Sequence, residues 1–223
     1  YEGVRRIAKK VAEDIGKVIG AVPKVVSPEE LSEEGASSII FCATCGKSPL
    51  LEKLAEMGLV DLEGFTKEDG SMKREVYQVR LLSACADCIF GRTSHEQAIE
   101  KDARLKTESS GQVLLIAGSD KRGTIYGMFS LSEYMGVSPL CYWGDVEPIH
   151  RDVLEIKEDI EVLSKEPSVK YRGFFISDEW PCFGSWVSEH FGGFNAKAYE
   201  TVFELLLRMK GNYLWPAMWT ASF

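Results

Sequence analysis

Apolar residues recur at Val4, Ile7, Ala8, Val11, Ile15 and Val18, close to the 3.6-residue period of a helix with one covered face. Gly20 is the expected stop of that helix, over residues 4–19. "AVPKVV" then reads as a short edge strand, and "SSIIFCA" as a buried strand near 38–43. Ser48–Met57 has a helical pattern closed by Gly58. "REVYQVRLL" alternates, which predicts a strand over 74–82 with Val76, Val79 and Leu81 turned inward. "QVLLIAG" is a nearly unbroken apolar run at 112–118, expected of a strand covered on both faces. A helix over about 120–135 follows and ends at Gly136. Together these elements predict one sheet with helices packed on it.

The pattern then breaks. Residues 145–168 are charged, contain Pro148 and Pro167, and read as a linker with one strand around Val153–Ile156. A second α/β stretch begins beyond them. "VKYRGFFIS" is a strand, "NAKAYETVFELLLRMKG" a helix and "NYLWPAM" another strand. Asn195 is placed to cap the helix, because its side-chain oxygen can accept from the orphan N–H groups. Tyr199, Val202, Phe203 and Leu206 form the expected apolar stripe, Glu204 and Arg208 an outer i,i+4 pair, and Gly211 the stop. No repeat or low-complexity segment is visible.

Composition narrows the class. With 223 residues, 45% hydrophobic and 27% charged, the chain suits one or two globular domains. The net charge of −8 provides no broad basic footprint, so nucleic acid is not an expected partner. No apolar run approaches the roughly 18–20 residues of a membrane helix, so a membrane is not expected either. The chain opens on Tyr1 with no signal-peptide pattern and closes just after an apolar run, which reads as a piece of something longer. Of 24 aromatic residues, only five fall in residues 1–110, and all five tryptophans lie between Trp143 and Trp219. Such enrichment suits either a large aromatic core or a pocket lined with flat side chains, as sugar sites are.

Several motifs invite chemistry. Cys42 and Cys45 form one CxxC pair, and Cys85 and Cys88 another. Four thiolates can hold zinc, but the gap of 39 residues between the pairs exceeds the roughly 15–20 of a zinc ribbon. Disulfide or redox pairing and plain burial are the other readings, and no metal is expected. "CGKSPL" lacks the first glycine of a phosphate loop, since Phe41 stands there. "GSDKRGTIYG" has the strand-to-helix context for anion binding, but Lys121 precedes Gly123 instead of following it. His95, His150 and His190 have no metal-ligand spacing and read as surface or capping residues.

Asp178 and Glu179 are adjacent carboxylates after a strand. At the C-terminal end of a barrel strand such groups are often catalytic; elsewhere they make a helix cap or a solvated turn. Side chains alternate along a strand, so only one of the two would point inward. Inverting glycosidases hold their two carboxylates about 6.5–9.5 Å apart, which makes neighbours on one strand poor candidates for both halves of the pair.

In "VLLIAGSDKRGTIYGMFSLSEYMGVSP", "VKYRGFFISDE", "FGGFN" and "FELLLRMKGNYLWPAMW" the sequence resembles glycoside hydrolase family 115, the xylan α-1,2-glucuronidases. The likeness runs from about "GKSPLLEKLAEMG" to the end. It implies an α/β fold in which residues 1–165 are an N-terminal accessory domain. Residues 166–223 would be the first strands and helix of a catalytic (β/α)8 barrel, a TIM barrel that is incomplete in this chain. It further implies a secreted, inverting enzyme that removes α-1,2-linked glucuronic or 4-O-methyl-glucuronic acid from xylan. No cofactor is implied, and glucuronoxylan or aldouronic acid oligosaccharides would be the substrates. By resemblance, Asp178 lines the uronic acid pocket and Trp219 forms an aromatic wall. Glu179 and Asn212 are further substrate-binding candidates, and the principal acid and base are expected beyond Phe223. The sequence departs from the family at Ser177, where Asn is usual, and at Leu140 and Cys141, where aromatic residues are. The stretch "SACADCIFGRTSHEQAIEKDARLKTESS" is unlike the short loop expected there. Two other readings stay open: a non-catalytic carbohydrate-binding remnant, and a phosphate-binding α/β module.

Overall fold

A computed structural model describes residues 1–31, 38–83, 86–90 and 111–215. Their fold is mixed α/β and divides into two compact units.

The first unit comprises Tyr1–Gly136 and Pro148–Pro167. Its sheet holds β1 (Ser38–Thr44), β2 (Tyr77–Leu81), β3 (Gln112–Gly118) and β4 (Glu161–Leu163), in the order β1-β3-β2-β4. β1 runs parallel to β3, with Phe41 opposite Leu115, whereas β2 is antiparallel to both β3 and β4. The strands expected at 38–43, 74–82 and 112–118 therefore do share one sheet. Val113, Leu114, Leu115, Ile116 and Ala117 are all buried, as an unbroken apolar strand requires. On one face, α2 (Pro49–Glu56) sends Leu51 and Leu54 against Phe41, Ala43, Val113 and Leu115. Ser48 caps it through Leu51 N–H. Short α3 (Ala86–Ile89) adds Ala86 and Ile89 to the same cluster.

Two further helices among the described residues, α1 (Glu2–Ile19) and α4 (Lys121–Tyr134), pack against each other. Gly20, at φ 76, ends α1 in the left-handed cap that glycine favours. The buried stripe of α1 includes Asp14, whose Oδ2 accepts a 2.7 Å hydrogen bond from Ser132 Oγ on α4. This polar tie explains how a carboxylate sits in an apolar stripe without being orphaned. α4 lies close on the sheet because of its glycines. A Cβ on Gly123 would run into the Val76 carbonyl, and one on Gly127 into Ile116 and Tyr77.

The second unit comprises Val137–Glu147 and Ser168–Phe223. Within it, β5 (Gly173–Phe175) pairs in parallel with β6 (Tyr213–Trp215). Between them lie α5 (Phe183–Phe191) and α6 (Ala196–Arg208). Parallel neighbours need such a crossover, because a tight turn can join only antiparallel strands. Asn195 caps α6 as expected, its Oδ1 accepting from Lys197 and Ala198 N–H.

Several expectations are corrected. Ala21–Ser27 forms no strand; Pro23 lacks an N–H there, and Val22 is exposed. No strand forms at Val153–Ile156; Val153 is 67% exposed, and the strand comes later, at Glu161–Leu163, where it finds the open edge of β2. Leu81 is only partly buried, and Leu82 enters the core instead. On α6, Phe203 is exposed while Ala198 is buried. Glu204 and Arg208 do pair, with Arg208 Nη2 2.9 Å from Glu204 Oε1, but not on the outside: the Arg208 side chain is only 5% exposed. Lys210, at φ 57, carries the left-handed turn after α6 rather than Gly211. Gly211 is needed for a different reason: a Cβ would press on Leu206 and on the Arg172 carbonyl. Helix α5 has no counterpart in the sequence expectations.

Candidate functional site

The stretch from Tyr171 to Glu179 alternates residue by residue between exposed and covered positions. Tyr171, Gly173, Phe175, Ser177 and Glu179 are exposed, whereas Arg172, Phe174, Ile176 and Asp178 are partly or wholly covered. The period of two is that of extended chain, and it continues past the last paired residue, Phe175. Asp178 closes the covered series and has no exposed surface, the most complete burial among the acidic side chains described in this unit. A buried carboxylate demands partners, and Asp178 has them. Glu179 is turned to solvent. Its carbonyl accepts from Gly184 N–H at 3.0 Å, which folds the turn back onto the first turn of α5.

The base of the strand pair is held by a clasp. Asn212 Oδ1 accepts from Arg172 N–H at 2.9 Å, and Asn212 Nδ2 donates to the Lys170 carbonyl at 2.8 Å. The Arg172 carbonyl in turn accepts from the N–H groups of Asn212 and Tyr213. The Arg172 guanidinium donates to the carbonyls of Lys210 and Val169. Both ends of the Asn212 amide thus hold backbone, at the N-terminal end of the parallel pair. Asp178 and Glu179 lie beyond its C-terminal end, so the structure does not bring Asn212 to them. Trp219, the fourth residue singled out from the sequence, lies outside the described residues.

Aromatic rings fill the second unit. Trp186 lies 5.1 Å from Trp143 and stacks on Phe183 at 5.9 Å with an interplanar angle of 11°. Phe183 meets Phe194 edge-on at 5.5 Å, and Phe194 meets Trp180 at 6.1 Å. His190 stacks on Trp186 at 4.3 Å, and its Nδ1 lies 2.8 Å from the Trp186 carbonyl. It acts as part of the helix, in line with a capping or surface role. On the outer face of the strand pair, Tyr171 meets Tyr213 and Phe175 meets Trp215.

The other motifs take structural positions. At the "GSDKRGTIYG" turn, Asp120 Oδ1 accepts from Gly123 N–H at 2.8 Å and Oδ2 from Glu75 N–H at 3.0 Å. A carboxylate of the chain itself therefore occupies the place and the charge that an anion would take at the start of α4. Arg122 is 3.8 Å from Glu75, and Ser119 Oγ accepts from Val76 N–H. This turn is a packing device. Cys42 and Cys45 are free thiols, and burial pushes Cys42 up to about 12. Desolvation also raises Cys45, with the Glu52 carboxylate adding to it. Burial thus leaves Cys42 a poor thiolate, which disfavours redox exchange at that residue. Cys85 and His95 lie outside the described residues. Among the described residues no group of His, Cys, Asp and Glu is placed to hold a metal ion, and no helix is long and apolar enough to cross a membrane.

Residues 164–223 match the family model described as glycosyl hydrolase family 115. A solved structure described as a novel family 115 4-O-methyl-alpha-glucuronidase with specificity for decorated arabinogalactans is 25% identical, with a TM-score of 0.68. The likeness covers 96% of this chain, which spans 23% of the length of that protein. A comparison with curated proteins returns no match. The matched segment 164–223 contains the alternating stretch, the clasp and most of the aromatic rings. Both comparisons point the same way as the words read in the sequence: over residues 164–223 the chain is similar to the model of glycoside hydrolase family 115, and over 96% of its length to a solved structure described as a member of that family.

Proposed function

We propose that these residues form part of a longer glycoside hydrolase that removes α-1,2-linked glucuronic or 4-O-methyl-glucuronic acid from glucuronoxylan, with inversion. The single observation that carries this reading is the buried carboxylate of Asp178. It stands just past the C-terminal end of a parallel strand, inside the segment that matches the family model. Catalytic groups of parallel α/β barrels cluster at that end of the strands.

In this reading residues 166–223 begin a (β/α)8 barrel, of which β5, α5, α6 and β6 are the opening. The two-stranded sheet supports it, since its outer face leaves Phe175 48% and Trp215 55% exposed and calls for further strands. Residues 1–165 serve as an accessory domain. Asp178 is the pocket carboxylate of this reading, which requires that the complete protein open its covered side to water or a sugar hydroxyl, with Trp219 against the sugar face and Glu179 at the rim. Asn212 acts on the pocket through the backbone it holds. The second carboxylate comes from later strands, because inversion needs a gap of about 6.5–9.5 Å that adjacent residues cannot span.

The test is to incubate the complete protein with glucuronoxylan and follow the anomeric proton of the released acid by NMR. The reading expects the β-anomer first, followed by mutarotation. No release, or the α-anomer first, would overturn it. Uronate-decorated arabinogalactan serves as a second substrate, because the solved relative is described as specific for such polymers.

A further inference from the structure

Trp180 follows the two carboxylates directly, yet it belongs to neither the strand pair nor the core. Its indole is 53% exposed. It lies against the first turn of α5, where Gly184 leaves room for it. A Cβ on Gly184 would stand 2.5–2.7 Å from three ring carbons, so any other residue would lift the ring off its seat. From the side, Phe194 meets it edge-on at 6.1 Å, and Phe194 is itself packed on Phe183, which stacks on Trp186. Trp180 is therefore the open end of a packed row of rings. It is fixed by its neighbours and still presents half of its surface.

We propose that Trp180 is a stacking platform for a neutral pyranose of the polysaccharide main chain that carries the uronic acid. The proposal rests on the reading that this unit binds carbohydrate. A pyranose with mostly equatorial hydroxyls shows a face of axial C–H groups. Those carry partial positive charge and suit the electron-rich face of an indole. The platform needs little ordering on binding, because its rotamer is already held by Gly184 and Phe194. The occupant is assigned to a neutral sugar because exposed Glu179 is the adjacent residue and disfavours an anion beside the ring. Both a xylose and a galactose main chain present such a face, and the test separates them.

The test is calorimetric titration of the whole 223-residue chain with xylohexaose, with a β-linked galactohexaose and with free glucuronic acid. One neutral oligosaccharide is expected to bind. Trp180→Ala should weaken that binding at least about tenfold, and Trp180→Phe should keep it within about threefold. Trp180→Leu fills the same seat without a π face and should behave like the alanine variant. Circular dichroism checks that each variant is folded. Unchanged binding in folded Trp180→Leu, or no binding of either neutral oligosaccharide by the wild type, overturns the proposal. Glucuronic acid binding should not depend on Trp180. Oligosaccharide binding that depends on Trp180, in a complete protein with no glucuronidase activity, would overturn the enzymatic reading and leave this one standing.

Discussion

Glu166 receives three hydrogen-bond donors near the end of the first unit. Arg74 N–H and Arg74 Nε each lie 3.0 Å from Oε1, and Lys67 Nζ lies 3.1 Å from Oε2. The Arg74 N–H, followed by its guanidinium and Lys67, holds this carboxyl at about 2, against an ordinary 4.5. A carboxyl lowered in the fold stabilises it fully above its ordinary value and loses that contribution as pH falls towards the lowered one. Glu166→Gln should thus lower the thermal midpoint at pH 7, and the gap to wild type should close between pH 4.5 and about 2; thermal melts across that range check it. Cys42 gives a second residue-level expectation. With its thiol pushed up to about 12, it should stay unmodified by iodoacetamide at pH 8 in the native chain and react after unfolding, as mass spectrometry of the labelled peptides would show. Asp178 and Glu179 show how far single residues could be read in advance. That one of the pair turns in and one out follows from strand alternation, and the structure buries only Asp178. The roles of Gly184 and Gly123 were hidden, because a glycine that makes room for a ring or a carbonyl looks no different in sequence from one that makes a turn.

Among the elements, those with one clean period were legible. α1, α2, α4 and α6 show helical spacing, and each carries a cap or a glycine stop where one was expected. α5 was not anticipated, although Phe183, Trp186, Val187, His190 and Phe191 keep the i, i+3, i+4, i+7, i+8 spacing and Gly192 closes it at φ 75. Gly184 and two serines lower its intrinsic propensity, and its stability comes from stacked rings rather than from the backbone. The pairing of β4 with β2 is a long-range choice with no local signature. The Arg172–Asn212 clasp yields a prediction at this scale. Asn212→Ala removes the acceptor for Arg172 N–H and should cost about 1–3 kcal/mol. Tryptophan fluorescence suits the measurement, because all five tryptophans lie between residues 143 and 219. Denaturation followed this way should show an earlier midpoint; an unchanged midpoint would mean that the clasp contributes nothing.

For the whole molecule, the central claim is that a carboxylate at the start of a barrel serves glycoside hydrolysis completed by later strands. The 223-residue chain alone should therefore release no measurable glucuronic acid from xylan, because one half of the carboxylate pair is expected elsewhere. Release by the pure chain would show that the expected division of the site is wrong. Asp178→Asn in the complete protein is the most direct test. Asparagine fills the same buried volume but removes the charge, and loss of one such transition-state contact costs about 2–4 kcal/mol, or about 10²–10³ in rate. Asp145→Asn is the control: Asp145 is exposed at φ 50, a conformation that asparagine also tolerates. The account predicts that Asp178→Asn lowers kcat/KM at least about 10²-fold in protein that stays folded, its thermal midpoint lowered only by the loss of one buried acceptor, while Asp145→Asn keeps most of the rate. Near-wild-type activity in Asp178→Asn, or activity lost only through unfolding, would contradict it and leave Asp178 as the buried cap of a turn.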